Sequence, residues 1–340
     1  MEISRKLAVM AAAGLALFGA HSAFAADIIS NGTIMVGVDD LGQLNPTSVL
    51  GPASPVTGTT VVGLRFVPTG NESTSHGCLC EGWGVGIADT GVSGFANNSS
   101  GTANLTPISF VSDGVTATSV VELTSGELRV THAFAPAAET PNLYRVTVTI
   151  ENISGAPIAD LRYTRTFDWD VEPSTFDEFV THAGVATTPS VLLAIDNGFV
   201  SSDPFAGRAP LLAGGTGDFV DLGPSDHGSN FDFSFGALAA GESFTFDIFY
   251  GAAATEAAAL AALGAVAAEL FSLGQCSSDA AGTGATFGGA TCNTFIFGFA
   301  GVGGEVIVPS GVIPLPAALP MFLTGLGGVA WLRRRKRALA

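Results

Sequence analysis

Positive charge is scarce in this sequence. Its 340 residues hold 13 lysines and arginines against 30 aspartates and glutamates, and the two lysines, Lys6 and Lys336, lie near the ends. Between residues 26 and 308, 29 acidic residues face only six arginines. So negative a surface repels nucleic acid and anionic membranes, which excludes both as partners of this segment. Such a charge is typical of a soluble exported protein, and it also suits divalent cations or basic partners.

Patterns that mark common active sites are also missing. The sequence has no Ser-centred G-x-S-x-G turn, and its Gly-rich stretches lack the lysine and the strand–loop–helix setting of a phosphate-binding loop. His132, His182 and His227 are scattered, which is more typical of structural histidines than of a catalytic set. The apolar fraction of 47% is too high for a disordered chain, so a folded domain is expected.

The first 25 residues have the three parts of a secretory signal peptide. Arg5 and Lys6 precede an apolar core over residues 7–20, and Ala23 and Ala25 supply the small residues of a cleavage site. The apolar core is too short to span a bilayer by itself. We therefore expect export and cleavage by signal peptidase after Ala25.

Residues 309–340 combine an apolar run with a basic end. Residues 315–332 carry no charge and reach the lower length limit of a bilayer-spanning helix. The basic cluster that follows should keep its end of the helix on the cytoplasmic side. Its members are Arg333, Arg334, Arg335, Lys336 and Arg337. The tail thus predicts a C-terminal transmembrane helix.

A short proline-containing motif begins this tail. It consists of Ile313, Pro314, Leu315, Pro316 and Ala317. Together with the apolar run, the basic end and the terminal position, it resembles the VPLPA variant of the PEP-CTERM sorting signal, with isoleucine in place of the first valine. The resemblance implies recognition and processing by an exosortase in the inner membrane of a Gram-negative cell. An ordinary C-terminal membrane anchor is the alternative.

PEP-CTERM proteins as a family are associated with exopolysaccharide and biofilm producers. The resemblance therefore implies a chain held briefly in the inner membrane by its C-terminal helix and then released to the cell surface or the exterior. A non-catalytic surface or matrix protein is the leading prediction, with exopolysaccharide as a partner. The resemblance covers only the tail and leaves the activity of residues 26–308 open.

Residues 26–308 predict one all-β domain, a mostly antiparallel β-sandwich. Residues 115–123 and 127–134 are typical of a hairpin, because a Thr-Ser-Gly turn separates the two segments. Residues 144–152 alternate in polarity and predict a further strand with one buried face.

Large apolar residues recur at every second position in residues 231–235 and 244–250, and all of them are aromatic except Ile248. This pattern predicts that both strands bury their aromatic face against a second sheet. One packed α-helix is predicted near residues 255–273. Thr255 is expected to cap its N-terminus and Gly274 to end it.

The strand predicted over residues 158–171 carries the densest polar cluster. Alternation places Phe167 and Trp169 on one face and Asp168 and Asp170 on the other, with the two carboxylates about 7 Å apart. We expect the acidic face to be wet or to line a cleft. The candidate cation or ligand site comprises Asp168, Asp170, Glu172, Asp177 and Glu178.

This cluster has three interpretations. Its spacing suits a calcium site at Asp168 and Asp170, and it also falls in the range of an inverting glycosidase pair. A solvated strand face in an acidic protein explains it without any ligand. The alternative function is therefore a carbohydrate-binding module or carbohydrate-active enzyme that uses this face, and His182 could join it. No cofactor other than calcium is predicted.

Four cysteines lie in the exported segment: Cys78, Cys80, Cys276 and Cys292. Outside the inner membrane they should form disulfides, and four cysteines allow three connectivities. Cys276 with Cys292 is the easiest local pair. Cys78 with Cys80 would close a tight ring. Two disulfides that join residues 78–80 to residues 276 and 292 are therefore the alternative. A metal site at residues 76–80 is the weaker alternative, because it lacks the C-x2-C spacing of structural zinc sites.

Overall fold

A computed structural model of the chain describes residues 25–307. Most of the predicted signal peptide lies outside these residues. So do the sorting motif at 313–317, the transmembrane segment at 315–332 and the basic cluster at 333–337. These predictions stay predictions from the sequence.

Residues 25–307 form twenty-one strands, one α-helix and one short 3₁₀ turn, and every strand pairing is antiparallel. In chain order the elements are β1 (Ala26–Ser30), β2 (Ile34–Asp39), β3 (Leu64–Phe66), β4 (Asn71–Glu72), β5 (Gly82–Ile87), β6 (Val92–Asn97), β7 (Gly101–Ala103), β8 (Leu105–Ser112), β9 (Ala117–Leu123), β10 (Leu128–Pro136), β11 (Leu143–Asn152), β12 (Ile158–Trp169), β13 (Glu178–Ala183), the 3₁₀ turn (Val185–Thr187), β14 (Val191–Ile195), β15 (Phe219–Ser225), β16 (His227–Leu238), β17 (Ser243–Ala253), α1 (Glu256–Ala265), β18 (Leu270–Cys276), β19 (Thr286–Phe287), β20 (Ala290–Thr291) and β21 (Thr294–Ala300).

Two large sheets dominate the described part of the chain. The nine-stranded sheet has the order β15-β13-β18-β21-β17-β11-β10-β9-β8, and the six-stranded sheet has the order β14-β16-β12-β5-β6-β7. A four-stranded sheet, β1-β2-β3-β4, and the hairpin β19-β20 complete the fold. The mostly antiparallel all-β architecture expected from the sequence is confirmed.

The two large sheets pack face to face through aromatic side chains. Phe167 of β12 stacks on Phe297 of β21 at 5.1 Å between ring centroids, and Phe235 of β16 stacks on Phe244 of β17 at 4.2 Å. The two strands predicted from alternating aromatics therefore belong to opposite sheets and face each other. Aromatic area buried in this way supplies much of the hydrophobic stabilisation.

The predicted hairpin and the strand that follows it are confirmed as β9, β10 and β11. Val146, Val148 and Ile150 are fully buried, as their alternation predicted. The glycines of β5 allow close packing on its other face. A Cβ on Gly84 would lie 2.0 Å from the carbonyl oxygen of Ser202, so only glycine fits there.

The helix prediction is correct at its start and wrong at its end. Thr255 caps α1 by accepting a hydrogen bond from the backbone N–H of Ala258 at 3.2 Å. The helix stops at Ala265, and the next turn breaks at Ala267, whose φ is +54°. Residues predicted as its last turns form β18 instead, a strand buried on both faces between β13 and β21. Gly274 lies within that strand, against the indole of Trp169.

Candidate functional site

The acidic face of β12 is buried, so the expectation of a wet or cleft-lining face is wrong. Asp168 is 1% exposed and Asp170 is 0% exposed. β12 lies between β5 and β16, and the loop between β14 and β15 covers this face. A Cβ on Gly198 of that loop would lie 3.0 Å from Asp168 Oδ1, and Arg208 Nη2 lies 3.4 Å from Thr164 Oγ1. The alternation was correct, but a distant segment buries the polar side.

The five predicted carboxylates do not share one environment. Asp177 is exposed, whereas Glu172 is buried and has hydrogen bonds to both of its carboxylate oxygens. Glu172 accepts hydrogen bonds from the Ser54 hydroxyl at 2.6 Å and from the Glu72 backbone N–H at 2.8 Å, and it pairs with His76 Nε2 at 3.1 Å. Burial alone would raise the pKa of Glu172, but hydrogen bonds from His76 and Ser54 hold it below its usual value. Through these contacts, Glu172 links the segment that follows β12 to the four-stranded sheet and to the loop before β3.

Asp168, Asp170 and Glu178 form a second set of three side chains, called the unpaired carboxyl group because each has at least one carboxylate oxygen without a hydrogen bond. Within residues 25–307, these oxygens are Oδ1 of Asp168, both oxygens of Asp170 and Oε2 of Glu178. Oε1 of Glu178 accepts from the backbone N–H groups of Val171 and Phe176.

Burial raises the pKa of Asp170 to about 7, against the opposing charge of His76. Burial, together with the neighbouring carboxylates of Asp170 and Asp226, raises the pKa of Glu178 to about 9. The pKa of Asp168 is raised well above its usual value by burial and by Asp170.

These pKa shifts mean that, at neutral pH, the side chains of Asp168 and Glu178 are largely protonated, and so uncharged, and that of Asp170 is partly protonated. An unpaired ionised carboxylate in a dry interior is very costly, so a buried acid keeps its proton. The same residues are the candidate calcium ligands. In the described part of the chain, however, the only set of three ligand-type side chains whose atoms approach within 4.8 Å of one another is Cys78, Cys80 and Asp168. Calcium at Asp168 and Asp170 stays a prediction.

The histidines noted in the sequence lie apart from Asp168. His182 contacts the Ser229 hydroxyl at 2.8 Å, and burial lowers its pKa to about 3, so it is neutral. His227 Nδ1 lies 3.3 Å from Asp196 Oδ2, and its other ring nitrogen faces a backbone carbonyl oxygen. His132 is buried in the core. The histidine that joins the acidic cluster is His76, which the sequence had suggested only as a neighbour of the cysteines.

The opposite face of β12 holds a buried ion pair that sequence reasoning missed. Arg165 is 0% exposed, and its Nε lies 2.6 Å from Glu81 Oε1. The hydroxyl of Tyr250 donates to the same oxygen at 3.1 Å, and the backbone N–H of Leu44 donates to Oε2 at 2.7 Å. An arginine on an otherwise apolar face requires a buried acidic partner. The sequence pattern therefore indicated that Arg165 has a buried acidic partner, but it did not indicate that the partner is Glu81.

The four cysteines form two local disulfides, Cys78–Cys80 and Cys276–Cys292. Disulfide formation is therefore supported, and the pairing leaves no bond between the two cysteine regions. The first disulfide lies directly against the unpaired carboxyl group, since Cys78 Sγ is 3.2 Å from Asp168 Oδ2. The second disulfide joins the end of β18 to the residues before β21.

Two adjoining surface depressions lie near the end of β12. Their volumes are about 530 Å³ and about 850 Å³, and Pro173 and Phe287 line both. The larger one is also lined by His76, Phe176 and Asp177. Asp168 and Asp170 line neither depression, because they are buried beneath the strand surface.

Comparison with known proteins adds no family. Neither a protein-family model nor a curated protein matches the chain. Among residues 25–307, no helix is long and apolar enough to cross a membrane. The transmembrane helix predicted at 315–332 lies beyond these residues.

Proposed function

We propose that this chain is an exported, exosortase-processed, non-catalytic protein of the cell surface or extracellular matrix. The observation that carries the proposal is the pairing of all four cysteines in local disulfides. Disulfides persist in oxidising compartments, which agrees with the signal peptide predicted over residues 1–25. The tail motif at 313–317 and the basic cluster at 333–337 then supply the sorting step.

The burial of Asp168 and Asp170 supports a non-catalytic role for this face. A glycosidase pair must reach the glycosidic bond of its substrate, with room for a water molecule between the carboxyl groups. Asp168 and Asp170 are at most 1% exposed and are covered by a loop. In this proposal, the two carboxyl groups have a structural role inside the protein.

The sorting step is tested by replacing Pro314 and Pro316 with alanine in the full chain. Because the motif would no longer be recognised, we expect full-length protein to accumulate in the inner membrane while the wild type is processed and released. Cell fractionation with immunoblotting measures both forms. Pro320→Ala is the matched control, because it changes a proline of the same tail outside the motif. Equal processing of all variants would leave a plain anchor instead.

A second candidate function, binding of exopolysaccharide, is favoured by the larger depression. Phe176 and Phe287 line it with side chains that are 48% and 51% exposed. Exposed aromatic rings beside hydroxyl groups form surfaces on which sugar rings stack. Thr57, an exposed residue of the lining, supplies such a hydroxyl-bearing side chain. Because the protein is strongly acidic, a neutral polysaccharide is the expected ligand.

Affinity electrophoresis in gels that contain neutral exopolysaccharide tests this second candidate. We expect the wild type to be retarded, and the change of Phe176 and Phe287 to alanine to abolish the retardation. Phe199→Ala is the control, because Phe199 is an exposed phenylalanine that does not line the depression. Identical mobility of all three proteins with and without the polysaccharide would contradict binding at this depression.

A further inference from the structure

The first strand begins where the signal peptide is predicted to end. Ala26, the first residue of β1, pairs with Asp39 at the end of β2, and Asp40 follows directly in the turn after that strand. The backbone nitrogen of Ala25 lies 3.4 Å from Asp40 Oδ2. The predicted cleavage point between Ala25 and Ala26 is therefore next to two consecutive acidic residues.

The two aspartates differ in their hydrogen bonds. Asp39 Oδ1 accepts from the backbone N–H groups of Leu41 and Gln43, and its Oδ2 accepts from Gln43 Nε2 at 2.8 Å. Asp40 is 5% exposed, and within residues 25–307 its Oδ1 has no hydrogen-bond partner. Asp39 is thus satisfied by its own turn, whereas Asp40 lacks a donor.

Asp40 also lacks a counter-charge within residues 25–307. This part of the chain has no lysine, and each of its six arginines pairs with an acidic residue other than Asp39 or Asp40. Burial raises the pKa of Asp40, as expected for a carboxyl group that is removed from water without a cation beside it.

Cleavage of the signal peptide creates a cation at this place. Hydrolysis adds one water molecule across the Ala25–Ala26 bond, so Ala25 leaves with a carboxylate and the nitrogen of Ala26 becomes an ammonium group. Consecutive residues are about 3.8 Å apart, so this nitrogen starts about one residue spacing from the nitrogen that contacts Asp40. Rotation about the Cα–C bond of Ala26 can turn the ammonium group towards Asp40 while Asp27 and the following residues keep their pairing with β2.

We propose that Asp40 is the binding site for the α-ammonium group of Ala26, so that signal-peptide cleavage forms an ion pair that the uncleaved chain lacks. This inference rests on the export step of the proposed function. A hydrogen bond between two charged groups is stronger than one between neutral groups, and chain termini are poorly ordered unless they are held. The ion pair therefore stabilises the start of β1 only after the chain has been exported and cut.

Five other titratable side chains surround the two partners or the turn after Asp40. They are Asp27, Asp39, Glu81, His132 and Arg165. Glu81 and Arg165 form an ion pair with each other, and burial lowers the pKa of His132, so it is neutral. Asp27 and Asp39 have the same sign of charge as Asp40 and act on an ammonium group in the same direction. A carboxylate favours the charged form of a neighbouring amine, so the pKa of the Ala26 amine should rise above its ordinary value of about 8.

The scarcity of lysine allows this amine to be measured directly. Lys6 leaves with the signal peptide and Lys336 is the other lysine of the sequence, so Ala26 carries the single amine of residues 26–307 after cleavage. Cleaved protein is isolated from cells that express the full chain and is acetylated briefly with acetic anhydride between pH 6 and pH 10. Mass mapping of the N-terminal peptide gives the rate at each pH. We expect the midpoint of the rate profile to lie at least about one unit above pH 8, which makes acetylation at pH 7.5 about tenfold slower than in Asp40→Asn.

Asp40→Asn should return the midpoint to about pH 8. Asp113→Asn is the matched control, because it removes an exposed carboxylate from the turn after β8 and should keep the wild-type midpoint. A wild-type midpoint near pH 8 would overturn the inference by itself, so the result does not depend on folding of Asp40→Asn. An unchanged midpoint in Asp40→Asn would overturn it as well.

The same mass map separates this inference from the proposed function. A cleaved chain that begins at Ala26 and has an ordinary amine pKa would overturn the ion pair and leave export standing. A chain that keeps residues 1–25, or that begins at another residue, would overturn the predicted cleavage and the ion pair together.

Discussion

The two faces of β12 bury polar groups in opposite ways. On one face, the charge of Arg165 is matched by Glu81, and hydrogen bonds from Tyr250 and Leu44 saturate the carboxylate. On the other face, the unpaired carboxyl group has no cation of its own besides the neighbouring His76. The first face holds an ion pair, and the second holds carboxyl groups whose pKa values are raised so that they take protons. The same strand thus shows both solutions to the cost of a buried charge.

The largest expected effect comes from breaking the matched face. Arg165→Met leaves Glu81 buried without a counter-charge, so we expect the free energy of unfolding to fall by about 3–5 kcal/mol. Urea denaturation of the full chain measures it. The double variant Glu81→Gln with Arg165→Met should lose less, since glutamine carries no charge, its oxygen can accept from the backbone N–H of Leu44, and its NH2 can donate to the hydroxyl of Tyr250. A double variant less stable than Arg165→Met would contradict the pairing argument.

The unmatched face should make stability depend on pH in the opposite sense from ordinary carboxylates. The folded protein holds protons on Asp170 up to about pH 7 and on Glu178 up to about pH 9, whereas the unfolded chain loses them near pH 4. Because the folded state then binds more protons, stability is complete below about pH 4 for these groups and falls as pH rises. Thermal melting between pH 5 and 9 should show a steady decrease.

Asp170→Asn sharpens this comparison. The variant should be more stable than the wild type at pH 8 by about 1–3 kcal/mol, and the difference should shrink towards pH 5. Asp113→Asn is the control. Hydrogen bonds from Thr116 and Val115 lower the pKa of Asp113, so it is ionised throughout this range and its loss should leave the slope unchanged. A wild-type stability that rises from pH 5 to pH 8 would refute the assignment.

The smallest expected effect concerns calcium, which is the other way to balance the unpaired carboxyl group. Since Asp168 and Asp170 are not brought to ligand spacing with a third carboxylate, we expect melting at pH 7.5 to be the same in millimolar calcium and in chelator. A calcium-dependent increase that Asp168→Asn with Asp170→Asn abolishes would instead establish the predicted calcium site.

Most strands could be predicted because alternation is a local property of the sequence. β11 and β12 follow from their own residues, and so does the placement of Phe167 and Asp168 on opposite faces. Whether the Asp168 face is wet could not be predicted, because the loop that covers it lies about thirty residues further along the chain. Nothing in the local pattern around Gly198 indicates what it covers.

The helix and the ion pair show two other limits of the sequence. β18 is buried on both faces, so its run of apolar residues fits a helix as well as a strand. Its pairing with β13 and β21 in the folded sheet makes this segment a strand. The partner of Arg165 is 84 positions away in sequence, and many acidic residues competed for that role. The chemistry of the partner was predictable, but its position was not.

The order of the nine-stranded sheet bears on how this protein behaves when many copies are crowded together. Its two outermost strands are β15 and β8, and each contains a proline, Pro224 and Pro107. Proline has no backbone N–H to offer a further strand, and both outer strands also depart from regular register. These features disfavour pairing of either edge of this sheet with a strand of a neighbouring molecule. At these two edges, crowding should therefore not join separate molecules into one continuous sheet.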